Sequence, residues 1–196
     1  TIVTNALFTN GNTAFIPPTD IIFNNNICQK TLTWGTPIAN PTTVWPILQC
    51  NNNVFDGTDN LATPNLAFST SEFRNNILMP TNAIVNIGAS SGVIAYNIGT
   101  LVTQFGNSNN NLVVPGISTL FITSTSTDGA YQVAPGSQAN NNGSDGTDRG
   151  SFGGTAITSR YTLSGLAAIP VIYEIITPGV ATPAGLPVTI KARTIN

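Results

Sequence analysis

The sequence predicts an all-β protein, a β-sandwich or jelly-roll-like single domain with long polar loops. Strand-sized apolar runs recur at intervals of about 8 to 12 residues, separated by turn formers. No window of about a dozen residues carries a helical apolar period with capping residues at its ends. With 18 Gly and 13 Pro among 196 residues, the chain is punctuated too often for long helices. Hydrophobic residues make up 41% and the net charge is only -2, so a core can form and the disordered class is excluded.

The first segment, Thr1 to Ile16, carries Ile2, Val3, Leu7, Phe8, Phe15 and Ile16 on both faces of any strand it forms. Such a strand needs cover on two sides. It is expected either as an internal strand or as one exchanged with a neighbouring subunit, with Ile2, Val3, Leu7 and Phe8 as the inter-subunit contacts. Residues 17–196 are expected to form the sandwich proper.

Pro17-Pro18 ends that segment, and Asp20 to Asn24 with its trailing Asn25-Asn26 reads as a short strand followed by a turn. Cys28 to Trp34 is β-like, and Pro37, Pro41 and Pro46 break the following stretch into edge or loop pieces. Leu61 to Phe68 and Phe73 to Met79 are weaker strand candidates. The densest apolar stretch, Ala83 to Phe105, is expected to form the central hairpin, turning at Gly88 to Gly92. Within it Gly99 marks a bulge or a close backbone approach. Residues 135–154 form a long Gly, Ser and Asn loop, and Leu186 to Ile195 alternates as the cleanest amphipathic strand.

Composition narrows the function. There is no His, which removes Ser-His-Asp and Cys-His nucleophile pairs, His-ligated zinc and imidazole proton transfer. The only glutamates are Glu72 and Glu174, and no phosphate-cradling motif precedes a helix. A non-enzymatic protein is expected. Six Lys+Arg against eight Asp+Glu leave no basic stripe for nucleic acid, and no apolar run reaches the roughly 18 residues of a membrane span. The chain starts at Thr1 without a basic and apolar leader, as expected after signal-peptide removal or in a fragment.

Cys28 and Cys50 flank a turn-rich segment and are expected to form a disulfide, which places the chain in an oxidising, extracellular setting. A near-repeat, NNN-x-x-DGTD, occurs at Asn51 to Asp59 and again at Asn140 to Asp148. Its plain reading is a pair of turns stabilised by Asx side chains. Its functional reading is a weak Ca2+ site built from Asp56, Asp59, Asp145 and Asp148, without EF-hand spacing. Asn142-Gly143-Ser144 is an acceptor tripeptide for N-glycosylation at Asn142. Trp34 and Trp45 read as core residues before sugar platforms.

Charged residues are only 7% of the chain, so its surface consists mainly of neutral amides and hydroxyls, which repel one another little. In general composition it is similar to pilin-type and archaeal surface-filament subunits, with no motif carrying the resemblance. The function expected is a secreted structural subunit that polymerises with itself through β-strand complementation into a filament or surface coat. Two alternatives share the strand pattern: a virion coat, decoration or spike protein, and a carbohydrate-binding adhesin using the loops near Asp56 and Asp145.

Overall fold

The computed structural model describes residues 2–3, 18–36, 41–57, 65–89, 93–155, 160–163, 170–176 and 189–194. The chain divides into two units, Thr1–Tyr161 and Thr162–Asn196. Strands dominate the first: β1 (Ile2–Val3), β2 (Ile27–Cys28), β3 (Leu32–Thr33), β4 (Gly35–Thr36), β5 (Thr43–Val44), β6 (Pro46–Gln49), β7 (Val54–Phe55), β8 (Leu66–Arg74), β9 (Ile77–Leu78), β10 (Val85–Gly88), β11 (Ile94–Ala95) and β12 (Ile98–Gly99). The short helix α1 (Val102–Phe105) and β13 (Leu112–Val113) follow, then 3-10 turns at Ile117–Leu120 and Gly129–Tyr131. The second unit holds β14 (Pro170–Ile176) paired antiparallel with β15 (Thr189–Thr194), with Lys191 exposed and opposite Glu174 in register.

All-β character is as expected, but the strands of the first unit pair mostly in parallel, not in the antiparallel manner of a sandwich or jelly roll. A six-stranded sheet runs β1-β2-β7-β9-β12-β13 in chain order, every pair parallel. Consecutive parallel neighbours require the chain to travel round and return to the same end of the sheet each time, one strand spacing further along. The first unit is therefore a stack of coils, a β-solenoid, with one two-residue strand per coil in this sheet. A second sheet is organised on the nine-residue β8, with β3 and β6 on one side and β10 and β11 on the other, again parallel. Antiparallel pairing among the described residues of this unit is local: β4 with β5, and a single bridge between Phe121 and Val133.

The expected hairpin over Ala83 to Phe105 is not formed. Strands β10 and β11 both align along β8, Val85 beside Leu66 and Ile94 beside Phe73, so they run in one direction as successive parts of one coil. The backbone then turns at Tyr96, and Val102–Phe105 is helical. Alternation fails there because a corner interrupts it. At Gly99 it is side chains, not another backbone, that come close: a Cβ would lie 2.6 Å from Gln104 Oε1.

Both faces of the six-stranded sheet are covered, the usual condition of a parallel sheet. Adjacent residues on each strand therefore enter different cores. Cys28, Phe55 and Leu78 point into the coil with Leu32, Phe68 and Phe73. Ile27, Val54, Ile77 and Ile98, all fully buried, form an aliphatic column on the other face, packed against Val114, Ile117, Leu120 and Tyr131. Burial of each such side chain contributes about 1.5–3 kcal/mol. The chain after β13 is thus a strap laid over the outer face of the sheet. Trp34 and Trp45 pack edge to face at 4.9 Å against the inner core.

Candidate functional site

Each coil turns between its two sheets at an asparagine-rich corner. Asn25, Asn52, Asn75, Tyr96 and Asn110 have φ between 53° and 58°, a left-handed conformation that Asn tolerates better than other residues bearing a Cβ. The next residue in each case is Asn26, Asn53, Asn76, Asn97 or Asn111, and then comes the aliphatic residue that opens the strand. This local order, a left-handed residue, an inward amide and an aliphatic, is the unit the coils repeat.

The inward amides form a ladder. Asn53 Oδ1 accepts from Asn26 N at 2.9 Å, Asn76 Oδ1 from Asn53 N at 2.9 Å, Asn97 Oδ1 from Asn76 N at 2.9 Å, and Asn111 Oδ1 from Asn97 N at 2.9 Å. The same oxygens accept from the preceding side-chain Nδ2 at 3.0–3.2 Å. Each Nδ2 also donates to a main-chain carbonyl: Asn53 to Phe23, Asn76 to Cys50, and Asn97 to Phe73. Buried amides that would be costly alone are satisfied by stacking.

Outside the ladder, the left-handed residues meet the strap. Asn25 Nδ2 donates to the carbonyls of Ser151 and Gly153 at 2.9 and 2.8 Å. Asn75 exchanges hydrogen bonds with Ser144, and the Arg149 guanidinium lies 5.7 Å from the Tyr96 ring centroid. Arg149 is 1% exposed and donates to the carbonyls of Asn142, Asn110 and Asn97, while burial lowers its pKa to about 10. Farther along the strap, Tyr131 Oη donates to Asp56 Oδ2 at 2.7 Å and is pushed up to about 12, first by burial and then by that carboxylate.

Between Asn25 and Asn75 the strap leaves a polar cleft of about 270 Å³. Asn52, Glu72 and Arg74 line it from the coils, and Ser144, Asp145 and Thr155 from the strap. Asn52 Oδ1 and Arg74 Nε are buried atoms with no hydrogen-bond partner among the described residues. The nearest carboxylate oxygen to Arg74 Nε, Glu72 Oε1, is 3.7 Å away, beyond hydrogen-bond distance. Amide, guanidinium and carboxylate together can donate to and accept from one small polar molecule.

The residues singled out in the sequence are dispersed. Cys28 and Cys50 are free, buried thiols rather than the expected disulfide. Both belong to the inner core, where burial pushes Cys28 to about 12 and Cys50 well above its ordinary value. Asp145 and Asp148 close the strap on itself: Asp145 Oδ1 accepts from Thr147, and Asp148 Oδ1 from Asn140 and Asn141. Asp56 serves Tyr131, and Asp59 lies outside the described residues. No three candidate metal ligands converge among the described residues. Asn142 is exposed, with Nδ2 bonded to the Gln138 carbonyl. Ile2 and Val3 form β1, whereas Leu7 and Phe8 lie outside the described residues.

The ladder and the Asn52–Arg74 cleft were missed. Their signal is the recurrence of paired Asn before an aliphatic at Asn25-Asn26-Ile27, Asn52-Asn53-Val54, Asn75-Asn76-Ile77 and Asn110-Asn111-Leu112. The ladder intervals of 27, 23, 21 and 14 residues hide it from any fixed-period comparison. No helix of the described residues is long and apolar enough to cross a membrane. No protein-family model matches the chain, and no curated protein or solved structure matches it at a significant level.

Proposed function

We propose that the chain is a non-enzymatic, extracellular structural subunit that self-assembles through β-strand complementation into a filament or surface coat. The observation that carries this reading is the place of β1. Ile2 and Val3 stand in parallel register beside Ile27 and Cys28 at the edge of the six-stranded sheet. A two-residue strand at such an edge is held by main-chain hydrogen bonds, which any chain in the same register can supply. The corresponding segment of a neighbouring copy fits the same edge, and repetition of that exchange links subunits head to tail. The low surface charge supports the reading, since little electrostatic repulsion opposes contact between copies.

The test is removal of residues 1–16, followed by sedimentation and negative-stain imaging beside the full chain. Regular fibres or sheets from the full chain and dispersed particles from the truncated one are expected. Unchanged assembly without the segment, or a full chain that stays monomeric at high concentration, overturns the proposal.

A further inference from the structure

We infer that β13 is the receiving edge for a second copy of this chain, whose β1 adds beside it in parallel and continues the six-stranded sheet from one molecule into the next. It rests on the self-assembly proposed above and supplies the contact at the far end of the sheet. β13 closes the strand order, and no strand lies beyond it among the described residues. The amides of Leu112 and Val114 donate to the carbonyls of Asn97 and Gly99, so those two residues face β12. Alternation along a strand turns the N–H and C=O of Val113 the other way, out of the sheet edge. From Val114 the chain turns back over the outer face as the strap and reaches the first coil, where Gln29 Nε2 donates to Tyr131 Oη at 3.2 Å. The second sheet ends at β10 and β11, and the last coil continues as α1.

Native sheet edges are commonly blunted by a charged side chain, above all Lys, or by Pro within the strand. Residues 75–127 contain no Asp, Glu, Lys or Arg, and β13 contains no Pro. Val113 is exposed, and so are Leu101 and Val102, which follow β12. An uncharged edge flanked by exposed apolar side chains gains both hydrogen bonds and apolar burial when a strand is added to it.

Phase selects the occupant. Ile27, Val54, Ile77 and Ile98 stand in one column by register, which Ile2 extends at one end and Leu112 at the other. Placing Ile2 of a second copy beside Leu112, and Val3 beside Val113, repeats the direction and register of every pair inside the sheet. The main chain is complementary as well. The carbonyls of Asn26 and Cys28 accept from Val54 and Asp56, so Ile27 is the residue turned toward β1, and Ile2 beside it is turned to the outer edge. In the stack the Val113 N–H donates to the Ile2 carbonyl of the second copy, and the Ile2 N–H of that copy to the Asn111 carbonyl. Such a contact joins unlike ends and can repeat from copy to copy.

The test compares the full chain with its Val113→Pro variant by sedimentation velocity over a concentration series. Proline removes the outward N–H and leaves the bonds of Leu112 and Val114 to β12 in place, a change that an edge strand tolerates. The full chain is expected to associate, and Val113→Pro, with an unchanged urea midpoint, to associate about tenfold or more weakly. Val113→Lys, which puts a charge on the edge, is expected to act in the same way and decides the matter if the proline variant does not fold. Chains carrying Val113→Cys, mixed with chains carrying Val3→Cys and treated with a short bis-maleimide, are expected to yield cross-linked pairs of one chain of each kind. Undiminished association of folded Val113→Pro, or no mixed pair, overturns the inference and leaves strand exchange at β2 standing. Mixed pairs without fibres keep this edge and remove the filament, whereas a full chain that stays monomeric overturns both.

Discussion

Asn76 Oδ1 accepts two hydrogen bonds from Asn53, one from its main-chain N at 2.9 Å and one from its Nδ2 at 3.0 Å, inside a corner where both residues are fully buried. One side chain therefore ties two coils together through backbone and side chain at once. Its own Nδ2 continues to Asn97 Oδ1 and to the Cys50 carbonyl. Removing it breaks the ladder at its middle and strands groups on both sides.

Asn76→Ala is accordingly expected to cost about 3–5 kcal/mol, because each buried donor or acceptor left alone costs about 1–3 kcal/mol. Against a total stability of about 5–15 kcal/mol, that shows as a large fall in the urea midpoint. A loss below about 1 kcal/mol would mean that water replaces the amide and that the ladder does not hold the coils.

Arg149 fastens the strap to the corners through three main-chain carbonyls. Arg149→Leu leaves those carbonyls without their donor and is expected to cost about 2–4 kcal/mol, with early proteolytic cleavage between residues 134 and 154. Arg149→Lys is expected to recover less than half of the loss, since an ammonium cannot present the guanidinium fork. Cleavage patterns identical to those of the native chain would show that the apolar contacts alone secure the strap.

Gly150 sits at φ +91°, and a Cβ there would meet Ile77 Cδ1 at 3.0 Å and Val54 Cγ2 at 3.1 Å. Gly150→Ala is expected to destabilise by about 2 kcal/mol or more, from backbone strain and overpacking of the aliphatic column together. A thermal melt decides it; an unchanged or higher Tm contradicts the close packing of strap on sheet.

Free thiols predict both a count and a pH dependence. Two reactive thiols should appear on denaturation without reductant and almost none in the folded chain; a disulfide would give none in either state. The folded pKa values are raised, so this contribution to stability is complete below the unfolded value of about 9 and is lost as pH rises towards about 12. Arg149, lowered to about 10 in the folded chain, acts in the opposite sense only above that pH. Urea melts between pH 9 and 10 should therefore show stability falling by about 1 kcal/mol per thiol. A flat profile, or one unaltered in Cys28→Ala, contradicts the buried thiols.

Local chemistry could be read directly from the chain. β-prone runs, turn residues, the poverty of charge, and the packing of buried Trp34 and half-buried Trp45 against the core follow from residue types and their spacing, which act over a few neighbours. The Asn triplets were visible as turn formers, and Asn25, Asn52 and Asn141 do take left-handed φ. Pairing direction was not readable, because a two-residue strand such as Ile77–Leu78 is compatible with parallel or antiparallel neighbours. It is decided by what stacks above and below: Asn53 under Asn76 under Asn97, and Val54 beside Ile77 beside Ile98. Those contacts join residues more than 20 positions apart at irregular intervals, so no window of sequence contains them. The cleft at Asn52 belongs to the same class. Its lining is assembled only when the strap, some 90 residues later, brings Ser144 and Asp145 to the side chains of Asn52, Glu72 and Arg74.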